Sequence, residues 1–571
     1  MSKTNVKNDL KGALTASKRG FLAAGFFSLF INLLMLTSPF YMLQVYDRVV
    51  ASRSLETLYF LTMIMVLMFT IMGTLTWVRS LILVRVSNQM DQKLSTRVYS
   101  AMFELGVRSP NQRTSQPLSD LTTLRQFMTG NGLFAFFDAP WMPIYIGVMF
   151  LFHPAFGWFA ICAAIILVIV AILNEKSTKK LLTEANGENV KAQSLATGNL
   201  RNSEVLHAMG MLPNIMGRWH KQHQTFLEKQ THASDKAGIY ANLSKVLRMI
   251  FQSLILGMGA YFVVINEMSP GMMIAGSILM GRALAPVDLI IGSWSGFNNA
   301  RTSYGRLSEI LEAIPANERN MQLPTPTGNI TVENLFVVPP GSKAPAIKGI
   351  NLDIPTGDLV GVVGPSAAGK STLARAMLGI WPASNGAVRI DGAEIQHYNR
   401  DELGPHIGYL PQDIELFSGT VSENIARFSE VDADKVVLAA KKAGVHELIL
   451  RLPNAYDTVI GTDSGALSGG QRQRIGLARA LYGSPKVVIL DEPNSNLDEH
   501  GERALAQTLQ ILKAQKTTTF VISHRTSILR SIDKLLVMRE GQVQFFGPRD
   551  EVMKKLALQK AEQEKLSQAP A

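Results

Sequence analysis

A glycine-rich segment at residues 364–372 has the residue types that hold the phosphates of a nucleotide. It follows the apolar stretch Leu359–Val363 and opens a helical pattern. In this setting small residues let backbone N–H groups close around phosphate oxygens at the positive end of a helix, although the pattern alone also fits an ordinary glycine-rich turn. Lys370 adds a point charge for the β- and γ-phosphates, and the Ser371 hydroxyl is placed to bind Mg²⁺. The residues expected to contact the nucleotide here are Gly364, Pro365, Ser366, Ala367, Ala368, Gly369, Lys370, Ser371 and Thr372.

A pair of acids supplies the groups that nucleotide hydrolysis needs. The apolar stretch Val487–Leu490 predicts a strand that ends in Asp491 and Glu492. We expect Asp491 to hold the Mg²⁺ shell and Glu492 to polarise the attacking water as general base. Acids at strand ends are also common for structural reasons, but the phosphate loop upstream favours the catalytic interpretation.

A Ser-Gly-Gly segment lies between the phosphate loop and the acidic strand. Leu467–Gln471 reads LSGGQ and precedes a helical stretch. It resembles the signature motif of the ATP-binding cassette (ABC) family, as does the order of the three motifs. In that family the signature motif of one subunit closes over ATP that the partner's phosphate loop binds. The resemblance implies ATP contacts for Ser468, Gly469, Gly470 and Gln471.

Three further segments resemble ABC motifs, and each contributes one site residue in that family. The Q-loop glutamine senses Mg²⁺ and faces the membrane domain, the D-loop carries an aspartate, and the switch histidine contacts the γ-phosphate. The matching residues are Gln412 in YLPQ, Asp498 in SNLD and His524 in VISH. Asn496 stands where alanine is usual, which is a minor difference.

The adenine contact has no clear counterpart. Many family members stack adenine on an aromatic residue early in the domain. Residues 335–341 read LFVVPPG, and Phe336 is the only nearby ring. Its register is not the expected one, so the adenine contact stays open.

The part of the chain before residue 300 contains long apolar runs. They indicate that the nucleotide-binding segment is attached to a membrane domain. The chain of 571 residues is 47% hydrophobic and only 18% charged, against about 25% charged in ordinary soluble domains. A bilayer needs about 20 apolar residues per helix, and a soluble core seldom supplies several such runs. The runs cover about 21–41, 58–78, 134–152, 156–173 and 249–265, with a sixth from about 271.

The basic residues are distributed unevenly among the connections between these runs. The net charge is +11, and the third–fourth and fifth–sixth connections contain no Lys or Arg. This asymmetry predicts that both termini and the nucleotide-binding domain are cytoplasmic. It also explains the positive charge without a nucleic-acid partner, and none is expected. Phe21–Tyr41 is too long for the apolar part of a cleavable signal peptide.

The sequence therefore predicts a membrane α-helical domain of six transmembrane helices, of the ABC exporter type, fused to an α/β P-loop ABC nucleotide-binding domain. One phosphate loop and one signature motif complete no ATP site within one chain, so a homodimer with two ATP sites is the simplest assembly. The predicted segments are a cytoplasmic N-terminal segment (1–20), the transmembrane domain (21–314), a linker (315–328), the nucleotide-binding domain (329–555) and a polar tail (556–571).

Two membrane features have open interpretations. The family's spans continue as cytoplasmic helices that end in coupling helices, and the polar stretches 107–121 and 211–224 lie where these are expected. Arg282 interrupts the sixth run, and a charge at that depth should face a partner or aqueous space unless it lies at the boundary. Asp138 in the third run has the same two interpretations.

The whole chain resembles one branch of the family. Ser38–Leu58, Ser269–Trp294 and Gly364–Ala393 look like bacterial type I secretion permease/ATPases of the PrtD group, and the resemblance covers about residues 15–555. It implies an inner-membrane exporter in a Gram-negative cell that works with a periplasmic membrane-fusion adaptor and a TolC-like outer-membrane channel. The implied cargo is an unfolded protein with a C-terminal signal.

Two other functions remain as alternatives. An ABC exporter of lipid or small amphiphiles shares every ATP motif. An ATP-gated channel or regulatory subunit is disfavoured because the chain has both Glu492 and His524, the residues expected to carry out ATP hydrolysis. Some relatives carry an N-terminal peptidase domain; because the first run begins near Phe21, we do not expect such a domain or leader cleavage here.

Overall fold

The computed structural model describes residues 9–109, 114–315, 323–461, 467–523 and 525–567. The chain divides into two compact units. A helical unit comprises Met1–Glu104 and Thr114–Ala316, and an α/β unit comprises Leu105–Arg113 and Asn317–Ala571.

The helical unit contains six stretches of helix that are long and apolar enough to cross a membrane, counted over the described residues. Their number confirms the six predicted spans. The first span is interrupted: two helices are followed by a π-helical segment, Val45–Val50. The helices are α1 (Asp9–Ala16), α2 (Lys18–Leu34), α3 (Thr37–Gln44), α4 (Leu55–Arg108), α5 (Gln116–Thr129), α6 (Asn131–Asp138), α7 (Met142–Phe152), α8 (Pro154–Leu200), α9 (Ser203–Ala208), α10 (Leu212–Val264) and α11 (Pro270–Ala313).

Four helices are much longer than a bilayer is thick. α4, α8, α10 and α11 contain 54, 47, 53 and 44 residues, so at 1.5 Å per residue they are about 65–80 Å long. The stretch 211–224, expected as a coupling region, mostly forms the first turns of α10. The separate short helix here is α9, which ends before Gly210 at φ +62°. Residues 110–113 of the other expected stretch lie outside the described residues.

A buried polar cluster joins the first three spans. The Arg79 guanidinium of α4 donates to Asp138 at 2.7 Å and to the Ser28 hydroxyl at 2.8 Å. Asn32 of α2 also donates to Asp138, at 3.0 Å, and accepts from the Tyr145 hydroxyl at 2.9 Å. Asp138, for which a pore-lining position was one interpretation, is therefore engaged in an ion pair between helices.

Arg282 and Asp288, two charged residues of the sixth span, lie in different surroundings. Arg282 is exposed on α11 in the single chain, and its pore-lining role stays a prediction. Asp288 is half-buried and forms an ion pair with Arg248 and a hydrogen bond with Ser244, both on α10. The pair ties the fifth span to the sixth.

The described residues of the α/β unit form three sheets. Its strands are β1 (Ile330–Val337), β2 (Ile347–Ile354), β3 (Leu359–Val363), β4 (Asn385–Ile390), β5 (Ala393–Glu394), β6 (Ile407–Leu410), β7 (Gly419–Thr420), β8 (Val459–Ile460), β9 (Val487–Asp491), β10 (Thr518–Ile522), β11 (Lys534–Arg539) and β12 (Gln542–Pro548). Its helices are α12 (Lys370–Met377), α13 (Arg400–Leu403), α14 (Val421–Ile425), α15 (Ala433–Lys442), α16 (His446–Leu450), α17 (Gly469–Leu481), α18 (Glu499–Ala514), α19 (Thr526–Leu529) and α20 (Arg549–Ser567).

The six-stranded sheet positions the site. Its order is β12-β11-β3-β10-β9-β6, and β11, β3, β10, β9 and β6 run parallel. Every residue of β9 and β10 is buried, which explains why Val487–Leu490 in β9 reads as a continuous apolar run. Because parallel strands end at one edge of a sheet, the loops after β3, β6, β9 and β10 gather there.

Regular contacts and helix continue on both sides of the predicted domain bounds at 329 and 555. The second half of the predicted linker is folded against the turn after β4: Asp391 accepts hydrogen bonds from the Thr327 backbone N–H at 2.5 Å, the Thr327 hydroxyl at 2.6 Å and the Asn329 N–H at 3.0 Å. At the other end, α20 continues through the predicted start of the tail at residue 556. Its Lys, Ala, Gln and Glu residues all favour helix.

Candidate functional site

The loop after β3 has a backbone that only small residues permit. Gly364 has φ +156° and Gly369 has φ +95°. A Cβ on Gly364 would collide with the carbonyl oxygen of Met538, and one on Gly369 would lie 2.9 Å from that of Ala346. Pro365, Ser366 and Ala367 are exposed at the tip, and Ala368 is buried beneath them. The loop thus presents backbone N–H groups at the start of α12, as phosphate binding requires.

Lys370 is the first residue of α12 and is buried. Its ammonium group donates to the carbonyl oxygens of Gly364 at 2.8 Å and Pro365 at 2.9 Å. Burial lowers the pKa of Lys370, while the charges of Glu492 and Asp491 act in the opposite direction. The ammonium group is thus held inside the curve of the loop, where it can meet phosphate oxygens.

Asp491 ends β9 and is 2% exposed. Burial raises the pKa of its carboxyl group, and a hydrogen bond with Ser371 acts against that rise. Its Oδ1 atom is buried and has no hydrogen-bond partner among the described residues. A buried carboxylate oxygen without a partner, next to a hydroxyl, is the kind of donor set that Mg²⁺ prefers. These residues therefore fit a magnesium ion.

Glu492 has an unusual backbone conformation. Its φ is +48°, which costs a non-glycine residue roughly 1–2 kcal/mol. Hydrogen bonds maintain it: the Glu492 N–H donates to the Ile522 carbonyl at 3.0 Å, and its carbonyl accepts from the Ser495 N–H at 3.2 Å. The Gln412 side chain donates to the Glu492 carboxylate at 3.3 Å. The structure thus brings together two residues that are 80 positions apart.

The signature segment begins α17. Ser468 is the N-cap: its hydroxyl accepts from the Gln471 N–H at 3.3 Å, and the Gln471 side chain accepts from the Ser468 N–H at 2.8 Å. Such a capping box fixes the first turn. Ser468 is exposed, and among the described residues its hydrogen bonds stay within this turn. Ser468, Gly469 and Gly470 therefore present a helix N-terminus that can bind an anion from outside the turn.

Asp498 of the D-loop caps α18. It accepts from the Gly501 N–H at 2.8 Å and from Arg474 of α17 at 2.5 Å. The backbone hydrogen bond from Gly501, together with the charge of Arg474, lowers the pKa of Asp498 although desolvation acts against this. Asp498 thus contacts the signature helix of its own chain. Its contact with ATP stays a prediction.

His524 lies outside the described residues. The residue before it, Ser523, is buried at the end of β10 and donates to the Asn494 side chain at 3.1 Å. Phe336 sits within β1, opposite Lys348 in β2 and Asn385 in β4. This strand position leaves the adenine contact open.

Sequence reasoning missed Gln473, which contacts the loop after β9. Its side chain is 1% exposed on α17. It donates to the Glu492 carbonyl at 3.2 Å and accepts from the Asn496 N–H at 2.9 Å. The available signal was its position four residues before the buried Leu477, where a helix would ordinarily carry an apolar residue.

Comparisons with known proteins identify the family. The model of the ABC transporter transmembrane region matches residues 21–286, and that of the ABC transporter matches residues 347–495. The type I secretion system ATP-binding protein PrsD of Rhizobium meliloti is 45% identical over 551 residues, which are 95% of this chain and 94% of that protein. The leukotoxin translocation ATP-binding protein LktB of Mannheimia haemolytica is 27% identical over 549 residues, or 95% of this chain and 77% of that protein.

A solved structure confirms the fold. The structure of a bacterial Atm1-family ABC exporter with ATP bound aligns with a TM-score of 0.80 at 22% identity, covering 97% of this chain and 99% of that one. At this identity the likeness concerns the fold alone. Together with the family models and the relatives, it shows that the chain belongs to the ABC transporter family, in its type I secretion group, as a multi-pass membrane exporter that binds and hydrolyses ATP.

Proposed function

We propose that this protein is the inner-membrane permease and ATPase of a type I secretion system, and that it exports an unfolded protein with a C-terminal signal from a Gram-negative cell. The observation that carries the proposal is the 45% identity with the Rhizobium meliloti secretion protein along 95% of the chain. That alignment includes the membrane spans. Exporters of other cargo share the ATP motifs, so likeness across the spans is the more informative part.

The assembly is a homodimer with two ATP sites between its nucleotide-binding domains. The exposed Ser468 supports this arrangement, because its helix N-terminus is available to a nucleotide bound by a second copy. The proposed partners are a periplasmic membrane-fusion adaptor and a TolC-like outer-membrane channel, besides the secreted protein and the lipid bilayer. The charge asymmetry of the connections supports cytoplasmic termini and a cytoplasmic ATP-binding domain.

ATP hydrolysis in this site proceeds by in-line attack of water on the γ-phosphorus. Glu492 accepts the water proton, the bond between the γ-phosphorus and its bridging oxygen breaks, and ADP and phosphate leave. Lys370 and the loop N–H groups neutralise phosphate charge, while Gln412 orients Glu492. His524 contacts the γ-phosphate. Mg²⁺, when bound by Ser371, Asp491 and Gln412, supplies positive charge to the phosphate oxygens.

The catalytic assignment is tested with Glu492→Gln. We expect this variant to bind ATP, to hydrolyse it at least about 100-fold more slowly because the general base is lost, and to accumulate closed dimers. Glu540→Gln is the matched control, since that side chain is 85% exposed. Hydrolysis by Glu492→Gln at the wild-type rate would exclude Glu492 as the base.

The cargo is tested by comparing the culture-supernatant proteomes of cells that carry the wild-type chain or Glu492→Gln. We expect one or a few proteins to disappear from the medium and remain inside the cell. An unchanged supernatant, with both chains expressed at the same level, would contradict a protein cargo. The cargo would then be lipid or small amphiphiles.

A further inference from the structure

Gln473 joins two parts of the candidate ATP site, the signature helix and the loop after β9. It lies five residues after Ser468 on α17 and is buried. Its amide nitrogen donates to the Glu492 carbonyl at 3.2 Å and to the Ser495 hydroxyl at 3.3 Å, and its amide oxygen accepts from the Asn496 N–H at 2.9 Å. One side chain thus connects the signature helix to the catalytic glutamate and to the D-loop.

The chemistry of the backbone partners fixes the orientation of this amide. A carbonyl oxygen only accepts and a backbone N–H only donates, so the Gln473 nitrogen must face Glu492 and its oxygen must face Asn496. Glutamate at this position would direct an oxygen at the Glu492 carbonyl. Methionine has a similar length but has neither the amide nitrogen nor the amide oxygen.

The contact acts where the backbone is under strain. Glu492 holds its φ of +48° through hydrogen bonds at both its N–H and its carbonyl, and Gln473 provides one of the bonds at the carbonyl. Close packing adds a second link, since a Cβ on Gly470 would lie only 2.7 Å from the Asn496 carbonyl oxygen. A displacement of the first turns of α17 must therefore also displace the Glu492 backbone.

We propose that Gln473 is a positioning residue that couples the two ATP sites of the dimer. The inference rests on the proposed two-subunit sites, in which Ser468 of a chain binds the nucleotide of its partner while Glu492 of the same chain acts on its own. ATP captured by Ser468 sets the position of α17, and the Gln473 amide transmits that position to the Glu492 backbone. Each site then hydrolyses fastest when the other is filled.

The test measures steady-state ATP hydrolysis by the purified full-length chain in lipid vesicles as a function of Mg-ATP concentration. We expect a Hill coefficient above 1 for the wild type and near 1 for Gln473→Met. We also expect kcat to fall about tenfold, the effect expected when the hydrogen bond that orients the Glu492 carbonyl is lost, and half-saturation to change less than about twofold. Gln473→Glu should behave like Gln473→Met, because it keeps the acceptor but loses the donor.

Gln544→Met is the matched control, since the half-buried Gln544 bonds only to Gln559 among the described residues, at 3.0 Å. Its kinetics should equal those of the wild type. A wild-type Hill coefficient of 1, or an unchanged coefficient in folded, ATP-binding Gln473→Met, would overturn the coupling role.

A parallel Ser468→Arg variant distinguishes failure of the coupling role of Gln473 from failure of the proposed two-subunit ATP site. If Ser468→Arg loses hydrolysis but Gln473→Met keeps full cooperativity, the coupling fails while the two-subunit site stands. If Ser468→Arg hydrolyses ATP at the wild-type rate, the two-subunit site itself is wrong.

Discussion

Replacing Asp138 with leucine should destabilise the helical unit strongly, because it leaves a buried guanidinium without its carboxylate. The Arg79 and Asp138 side chains are only 6% and 15% exposed, and their charged atoms are 2.7 Å apart. Arg79 would keep Ser28 and the face of Phe134, 4.6 Å from the ring centre, as its contacts. Removing one partner of a buried pair costs about 3–5 kcal/mol.

The assay is thermal unfolding of the purified full-length chain in detergent, followed as the loss of monodisperse protein. A change of 1 kcal/mol shifts the midpoint of a large domain by about 2–4 °C, so the expected loss is on the order of 10 °C. Asp91→Leu is the matched control. Its ion pair with Arg125 is long, at 3.9 Å, and both side chains are exposed by about a third or more, so its loss should cost less than about 1 kcal/mol.

A double variant tests the physical reason. Arg79→Met combined with Asp138→Leu removes both charges and fills similar volumes, so it should recover most of the lost stability. A midpoint for Asp138→Leu within about 2 °C of the wild type would refute the importance of the pair. A double variant as unstable as the sum of the two single variants would refute the unpaired charge as the cause.

Two further expectations concern the α/β unit. Lys370→Ala should abolish ATP binding, measured with a fluorescent nucleotide, because the loop loses its buried cation. Asp391→Ala should lower the unfolding free energy by about 1 kcal/mol, since the exposed carboxylate holds Thr327 and Asn329. Although partial desolvation acts to raise the pKa of Asp391, these hydrogen bonds lower it below its ordinary value of 3.8. The folded state therefore favours the ionised form, and the stability it adds is present above pH 3.8 and lost as the pH falls through the lower folded value. Melting curves of wild type and Asp391→Ala should accordingly converge in acid; a gap that persists there would contradict this.

Motifs local in the sequence predicted the elements that carry the candidate site. The loop at 364–372 between a strand and a helix, the acids after an apolar strand and the helix after Ser468 could be placed because each pattern involves residues only a few positions apart. The six spans were also recognisable, since a bilayer demands long apolar runs. The strand Leu359–Val363 was predicted with the bounds that the structure has.

Contacts between distant elements could not be predicted in this way. Whether Arg79 faces Asp138 depends on how two helices are rotated about their axes, and one sequence does not determine that rotation. The role of Gln473 was hidden for a related reason: its partners are mostly backbone groups of a loop, which any residue provides. The same holds for the docking of Thr327 on Asp391, within a segment whose composition indicates only a linker.

The length of the spanning helices gives the protein mechanical leverage. About 20 residues of α4 or α10 are enough to cross the bilayer, so some 30 residues of each, or roughly 50 Å, extend beyond it. A tilt of about 10° at the bilayer would sweep the far end of such an arm through roughly 9 Å. Neither helix has a proline beyond its first turn, whereas α11 contains Pro286, so α4 and α10 act as stiff rods and α11 is the arm with a built-in place to bend.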